Sequence, residues 1–201
     1  MSHPKHATPE FSIQETLATR WSPYGYDPRP MPAADLQSLF EAARWAPSAF
    51  NEQPWRYLVA MRQDSEAFEQ LLSCLVEPNQ QWARQASALV ITVASLNHER
   101  NGKPNGTAQH DLGLASANIT HEATSRGMVV HQMSGILPDR ARELYGIPAG
   151  FQAMTALAIG FEADPAGLPD GLKERDTAPR ARRPQDEFVF TGTWGQAADL
   201  S

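Results

Sequence analysis

Two uniformly apolar runs mark the centre of the predicted fold. Residues 88–94 (ALVITVA) and 155–161 (TALAIGF) carry almost no polar side chains over the length of a strand. Such runs are typical of strands that are covered on both faces. Trp55–Met61 alternates in the manner of a strand, and residues 128–131 form a further short strand. The pattern therefore predicts a sheet whose central strands are buried.

Apolar residues recur at helical spacing between these runs. Leu36, Leu39 and Ala43 predict a helix over residues 33–45, and Pro47 ends that helix. Similar spacing or a start signal predicts five more helices, over residues 12–20, 65–76, 79–85 and 107–126 and over Pro138–Tyr145.

Two of these helices carry further information. Ser12 and Glu15 form a capping box, which predicts Ser12 as the N-cap of the first helix. The helix over residues 107–126 is the longest, and its small and apolar residues cover more than one stripe of its surface. Such a helix is either buried or packed against a partner.

The order of these elements predicts the fold class. Strands are interspersed among helices and are not adjacent in sequence, which favours a central sheet with helices on both faces, in the α+β class. We expect a single domain over residues 1–201, with a flexible arm at residues 1–11. The C-terminal region is a Pro- and Gly-rich tail that contains PRARRP and the strand-like EFVF.

The composition excludes several classes of function. The 201 residues have a net charge of −6 and a pI near 5.5, so there is no global basic signal for nucleic acid or an anionic membrane. Cys74 is the only cysteine, which excludes an internal disulfide framework and a CxxC pair. No signal peptide is recognisable, and no run approaches the ~20 apolar residues of a membrane span. We therefore expect a cytoplasmic protein.

Several catalytic and metal motifs are incomplete. HEATS at His121 has Ser125 in place of the second histidine of a zinc protease, so we expect no metal. There is no GxSxG, and residues 97–106 place their glycines in a polar loop, which excludes a Rossmann glycine motif or a P-loop. His110 and Asp111 diverge on their helix, and we interpret both as helix-surface polar residues.

Three arginines are candidates for binding a phosphate. Arg180 and Arg182 lie on the same side of an extended segment, where two guanidinium forks could grip one anion. The alternative is a solvated run of charge. Arg20 stands at the end of the first helix, before Trp21 and Ser22, and by itself is a cation favoured by the helix dipole. The residues alone leave these alternatives open.

The stretch ARWAPSAFNEQPWRYLVA, residues 43–60, brings polar and aromatic side chains into one tight junction. Ser48, Asn51 and Gln53 can each form hydrogen bonds. They either cap the helix and turn the chain, or hold a flat polar ligand against aromatic surface. The aromatic residues concerned are Trp45, Phe50 and Trp55.

Taken in order, these elements resemble the FMN-dependent nitroreductase family. The resemblance covers about residues 12–190 and rests on Arg20-Trp-Ser22, the specific APSxxNxQPW motif, ALVITVA, HDLGLASANITHEATSRGM, HQMSGI, YGIP, ALAIG and PRARRP. It implies a three-layer sandwich, with a central mixed sheet flanked by helices, in an intertwined homodimer that binds FMN at the subunit interface. The long helix would be the dimer core, and residues 163–201 would embrace the partner subunit.

The resemblance also implies which residues contact FMN. At the phosphate and ribityl end these are Arg20, Trp21, Ser22, Arg180 and Arg182. At the flavin ring, one subunit would supply a side-chain amide and two backbone N–H groups near N5 and O4, from Asn79, Ser134 and Gly135. The other subunit would supply a loop that lines the ring, with aromatic residues behind it, from Pro47, Ser48, Ala49, Asn51 and Gln53. Where many relatives place lysine near the flavin pyrimidine, this sequence has Tyr24 and Trp82.

The implied activity is FMN-dependent oxidoreduction. Hydride would pass from NAD(P)H through flavin N5 to a nitroaromatic, quinone or similar electron-poor acceptor by a ping-pong mechanism. No side chain is assigned as a catalytic acid or base. Two alternatives stay open. One is a flavin enzyme of different chemistry, such as dehalogenation or enoyl or heterocycle redox. The other is an FMN-binding, storage or sensing protein without efficient turnover.

Overall fold

The computed structural model describes residues 3–200, so residues 1, 2 and 201 of the expected single domain lie outside the described range. The helices are α1 (Glu15–Thr19), α2 (Ala33–Arg44), α3 (Ser65–Leu72), α4 (Glu77–Ala83), α5 (Ala108–Ser125), α6 (Pro138–Tyr145) and α7 (Asp170–Thr177). The strands are β1 (Tyr26–Asp27), β2 (Trp55–Met61), β3 (Ala88–Ser95), β4 (Val129–Met133) and β5 (Phe151–Glu162).

The strands form one sheet in the order β1-β5-β3-β2, and β4 also pairs with β5. In the strand register, Val90 of β3 lies opposite Leu157 of β5, and Val130 of β4 lies opposite Ile159 of β5. All four strand pairings in the described part of the chain are antiparallel. The α+β class is therefore confirmed, while the sheet is antiparallel and not mixed.

Alternate residues of β3 enter two separate hydrophobic cores, because successive side chains of a strand point to opposite faces. Leu89 and Ile91 belong to the core that also contains Leu71 of α3. Val90 lies in the core on the other face, with Ile119 of α5. Every residue of β3 is buried, as its uniform apolar run predicted. Helices thus cover both faces of the sheet, which confirms the three-layer arrangement.

The two ends of the chain differ from the sequence-based prediction. Helix α1 begins at Glu15, and its cap residue Gln14 makes no side-chain capping bond, so the prediction of Ser12 as N-cap is wrong. EFVF is not a strand, since only Phe190 forms an isolated bridge, to Ala197. Helix α7 was not predicted, because its sequence DGLKERDT has no apolar stripe.

The expected N-terminal arm is held against the body at its described beginning. The Ala7 N–H donates to the Ala18 carbonyl at 2.9 Å. Lys5 is buried, and its Nζ donates to the carbonyl of Arg175 in α7. Residues 5–7 therefore do not form a free arm, and Lys5 links them to the C-terminal region.

Two further features bear on function. None of the helices within residues 3–200 is long and apolar enough to cross a membrane. The same part of the chain contains no group of three or more His, Cys, Asp or Glu residues placed to hold a metal ion.

Candidate functional site

Three guanidinium groups converge where α1 ends. Arg20 follows α1, and Arg180 and Arg182 come from the segment after α7. Burial, and then the positive charges of Arg180 and Arg182, lower the pKa of Arg20 from its ordinary value. Arg20 Nη1 donates to Ser22 Oγ at 3.2 Å. Within residues 3–200 none of the three arginines forms an ion pair with a carboxylate. The cluster is therefore a concentration of positive charge that no carboxylate of the described chain pairs with directly.

Arg180 and Arg182 contribute to this cluster in different ways. Arg180 donates from Nη1 and Nη2 to the carbonyls of Arg20 and Ala18, which fixes the C-terminal segment to the end of α1. Its buried Nε has no hydrogen-bond partner in the described chain. Arg182 is exposed and donates to the Ala181 carbonyl at 2.7 Å. Arg180 thus holds the segment in place, while most of the Arg182 guanidinium stays available for a ligand.

Trp21 is the one member of the predicted phosphate group that packs inward. Its side chain is 5% exposed. The ring centroid lies 5.5 Å from Lys5 Nζ and 5.3 Å from the His3 ring. Trp21 therefore packs on the interior side of the arginine cluster and does not present its ring at the surface.

An aromatic cluster continues from the arginines towards the sheet. Tyr24 contacts Trp82 of α4 and His131 of β4, with ring centroids 5.2 and 4.8 Å apart. The His131 Nδ1–H donates to the Pro23 carbonyl at 2.8 Å, and burial lowers the pKa of His131. Tyr24 and Trp82 carry no cationic group themselves, but Arg175 Nη1 donates to the Tyr24 hydroxyl at 3.3 Å and its guanidinium lies 5.5 Å from the Tyr24 ring. A cation therefore stands beside this aromatic wall.

Asn79 and Gly135 meet beside that cluster. Asn79 Nδ2 and the Val76 N–H both donate to the Gly135 carbonyl at 3.1 Å. A Cβ atom added to Gly135 would lie 2.4 Å from Asn79 Nδ2, so glycine is what permits this approach. No backbone hydrogen bond within residues 3–200 uses the N–H of Ser134 or Gly135. Two backbone donors therefore lie next to a positioned side-chain amide.

The loop that follows α2 is folded by its own polar groups. Ser48 Oγ accepts the Gln53 N–H at 3.1 Å, and the Ser48 carbonyl accepts the Asn51 N–H at 3.0 Å. Phe50, Asn51 and Gln53 have left-handed φ values of 55°, 56° and 48°. Each such non-glycine residue costs roughly 1–3 kcal/mol, and such strain clusters at functional sites. The polar groups of the motif thus shape the loop through hydrogen bonds within the loop itself.

A buried carboxylate anchors this loop to α5. Asp111 is 2% exposed, and its Oδ2 accepts the Ala49 N–H at 3.1 Å and the Thr107 hydroxyl at 3.2 Å. The interpretation of Asp111 as a helix-surface residue is therefore wrong, whereas His110 is exposed as predicted. The signal in the sequence was an acidic residue in the first turn of a helix that is otherwise largely apolar.

The aromatic residues of the motif do not all lie behind the loop. Trp55 is buried at 8% exposure, as expected for a support. Trp45 and Phe50 are 72% and 76% exposed, so the expectation that they pack behind the loop is wrong within one protomer. The Arg100 guanidinium lies 4.1 Å from the centroid of the Phe50 ring. This end of the loop therefore presents aromatic surface outwards.

The predicted site residues consequently fall into two groups. The first runs from Arg20 through Tyr24 to Asn79 and Gly135. The second is the loop of residues 47–53, including the exposed Pro47. None of the hydrogen bonds, ion pairs or ring contacts of residues 3–200 joins the loop to the first group. One protomer thus holds two separate parts of the predicted site.

Comparison with known proteins assigns the chain to a family. The sequence model of the nitroreductase family matches residues 17–161, more than half of the chain. The chain belongs to the nitroreductase family. A solved structure described as an oxidoreductase containing FMN is 36% identical, with a TM-score of 0.89, and the match covers 96% of this chain and 98% of that one. This nitroreductase-family chain therefore has the architecture of a flavoprotein of known structure along nearly its whole length.

Two further proteins are similar to this chain in sequence. A 15.4 kDa protein of Mycolicibacterium smegmatis, uncharacterized in its name, is 34% identical over 127 residues, covering 62% of this chain and 82% of that protein. A protein of Methanothermobacter thermautotrophicus named "Putative NADH dehydrogenase/NAD(P)H nitroreductase" is 27% identical over 166 residues, covering 80% of this chain and 83% of that protein.

The close contact at Gly135 predicts the effect of adding one methyl group. Gly135→Ala should lower the free energy of unfolding by about 1–3 kcal/mol, because Asn79 and Val76 must move. Urea denaturation measures this change. Gly171→Ala in α7 is the control, since nothing lies within 4 Å of its added Cβ, and it should be neutral or stabilise the fold by up to about 1 kcal/mol. Equal effects of the two substitutions would contradict the described geometry.

The anchoring role of Asp111 predicts a second difference between neighbouring residues. Asp111→Ala leaves the Ala49 N–H without its acceptor and should lower the free energy of unfolding by about 1–3 kcal/mol. His110→Ala changes the adjacent exposed position and should stay within about 0.5 kcal/mol of the unsubstituted protein. Thermal or urea unfolding compares the two variants. An Asp111→Ala variant as stable as the unsubstituted protein would contradict the anchoring role of Asp111.

Proposed function

We propose that this chain is an FMN-dependent oxidoreductase that uses NAD(P)H to reduce nitroaromatics, quinones or similar electron-poor acceptors. The observation that carries the proposal is the convergence of Arg20, Arg180 and Arg182 without a carboxylate partner among the described residues. Burial and then repulsion between neighbouring guanidinium groups lower the pKa values of Arg20 and Arg180, and a bound dianion removes that penalty. The terminal phosphate of FMN is such a dianion, and guanidinium forks match its oxygens.

The other end of the first group has the donors and acceptors that a flavin ring requires. Asn79 is held by its Nδ2 bond to the Gly135 carbonyl, and this bond leaves its own carbonyl oxygen for a ring N–H. The unused N–H groups of Ser134 and Gly135 supply donors where charge develops on reduction. Between this end and the phosphate cluster lie Tyr24 and His131, whose rings are in contact, and the pKa of His131 is lowered by burial and also by the charge of Arg20. The donors at the two ends of the first group therefore match the phosphate and the ring of FMN.

When bound, FMN supplies the redox chemistry, taking hydride from NAD(P)H and giving it to the acceptor in two separate half-reactions. The protein residues bind and orient the ring. Arg20 and Arg182 hold the phosphate, Asn79 fixes the ring plane, and the backbone at Ser134 and Gly135 stabilises negative charge. No side chain of this surface is assigned as a catalytic acid or base, because a solvent-derived proton suffices.

We further propose a homodimer in which the loop of residues 47–53 completes the partner subunit's flavin site. Two features support this arrangement. Among the described residues no hydrogen bond, ion pair or ring contact joins the loop to the phosphate and ring residues of its own chain, and its Phe50 is exposed. The segment after α7 also exposes large apolar side chains, with Phe188 at 59% and Trp194 at 94% exposure. A second copy that covers these side chains gains the free energy of burying apolar surface. We place the dimer in the cytoplasm on the sequence grounds given above.

The phosphate assignment predicts a selective loss of FMN affinity. Arg20→Ala and Arg182→Ala should each weaken FMN binding roughly 10- to 100-fold, because one charge-assisted interaction of about 1.5–3 kcal/mol is lost. Arg183→Ala is the matched control, since Arg183 is 81% exposed and lies 3.9 Å from Glu187. Titration of the flavin-free protein with FMN, followed by flavin fluorescence, measures the three affinities. Unchanged affinity in both test variants would remove the phosphate assignment.

The proposed activity predicts rapid reduction of the bound flavin. Anaerobic mixing of the FMN-loaded protein with NADH or NADPH should bleach the flavin absorbance within seconds, and a nitroaromatic or quinone added afterwards should restore it. Stopped-flow absorbance records both half-reactions separately. A protein that stays yellow with both nucleotides would instead support FMN storage or sensing.

A further inference from the structure

We infer that Asp176 is a positioning residue that aligns the two chain segments carrying the phosphate-binding arginines. One segment is residues 20–25, which hold Arg20. The other runs from the end of α7 to Arg182. The inference rests on the proposed function, because it concerns how the same phosphate site is built.

The side chain of Asp176 makes a dense set of contacts with the first segment. Asp176 is 2% exposed although it lies in the last turn of the otherwise solvent-facing helix α7. Its Oδ1 and Oδ2 both accept the Tyr24 N–H at 3.0 Å, and Oδ2 also accepts the Gly25 N–H at 3.0 Å. A carboxylate bonded by consecutive backbone donors fixes the course of that backbone as well as its own position.

A second attachment lies four residues further along the chain. There Arg180 donates to the carbonyls of Ala18 and Arg20. Asp176 accepts from the Tyr24 and Gly25 N–H groups, which follow Arg20 in the sequence, whereas the Arg180 bonds end at and before Arg20. Together these two sets of hydrogen bonds hold the C-terminal segment against residues 18–25. Arg182, two residues beyond Arg180, is thereby held near Arg20.

The charge of Asp176 acts on nearby basic groups. Asp176 raises the pKa of Lys5 by its charge, although burial is the larger influence and lowers it. His131 of β4 also faces Asp176: burial lowers the pKa of His131, and the Asp176 charge raises it. Asp176 forms no ion pair with a basic side chain in the described chain. It therefore acts on this region through its backbone hydrogen bonds and leaves the guanidinium groups of the arginine cluster without a carboxylate partner.

A role in positioning differs measurably from a role in stability alone. If Asp176 only stabilised the fold, its loss would weaken the binding of every flavin equally. If it aligns the arginines, its loss weakens binding of flavins that carry a phosphate. Riboflavin has the same ring as FMN and lacks the phosphate. The FMN dissociation constant divided by the riboflavin dissociation constant therefore isolates the effect on phosphate binding.

The test compares FMN and riboflavin binding to flavin-free, full-length protein by fluorescence titration. Asp176→Asn should weaken FMN binding about tenfold or more, with the riboflavin dissociation constant within about twofold of the unsubstituted protein. Asp176→Glu keeps the charge but displaces the carboxylate. It should also raise the FMN dissociation constant relative to that of riboflavin, and it replaces the asparagine variant if that variant does not fold. Asp170→Asn, at the exposed start of the same helix, is the matched control and should leave both constants unchanged.

Three outcomes decide the inference. A selective loss of FMN affinity at Asp176, comparable to that of Arg182→Ala, supports it. Equal losses for FMN and riboflavin, or no loss for either, overturn it while the proposed function stands. If the unsubstituted protein itself does not prefer FMN to riboflavin, the phosphate site and the proposed function fail first, and the inference fails with them.

Discussion

Convergence of like charges is the constraint on which the rest of this site depends. Two unit charges about 4 Å apart repel by roughly 4 kcal/mol in an effective dielectric of about 20. In this cluster burial, and then the charges of neighbouring arginines, lower the pKa values of Arg20 and Arg180, so bringing these groups together costs free energy. Bonds elsewhere must offset this cost, and Arg180 itself supplies two of them. Asp176 adds hydrogen bonds to the Tyr24 and Gly25 N–H groups, so the C-terminal helix helps to hold the arginine cluster in place.

Much of the fold followed from hydrophobic periodicity. The strand β2, the buried strand β3 and the helices α2, α5 and α6 were predicted within a residue or two of their ends. The first four have an apolar face or an apolar run, whereas α6 is bounded by Pro138 and Gly146. The ends of the chain were predicted less well. Helix α7 has only Leu172 and Asp176 directed inwards, and its place depends on contacts with residues far away in sequence. A local pattern does not contain that information, and the unused Ser12 capping box shows that a local signal can also be present without effect.

The site shows the same division between local and distant information. Pairing of Asn79 with Gly135 agrees with their predicted neighbouring roles at the ring, and Arg20 does lie with Arg180 and Arg182. These assignments came from resemblance to a family, which supplies the long-range contacts that a single sequence lacks. The buried acids were missed. An aspartate in a helix is an ordinary surface residue unless tertiary structure brings backbone N–H groups to it, as happens at Asp111 and Asp176.

The construction of the loop at residues 47–53 bears on the proposed homodimer. Ser48 forms hydrogen bonds within the loop, and the buried Asp111 of α5 accepts a backbone N–H of the loop. The surface of the loop that faces away from α5 is therefore what remains for a ligand. That surface is strained, aromatic and exposed at Phe50. A soluble protein maintains strain and exposed aromatic area where binding offsets both. No hydrogen bond, ion pair or ring contact of residues 3–200 joins the loop to the phosphate and ring residues of the same chain. In the proposed homodimer, a second copy would bring its own flavin against the loop, which would offset the strain and cover the exposed aromatic area together.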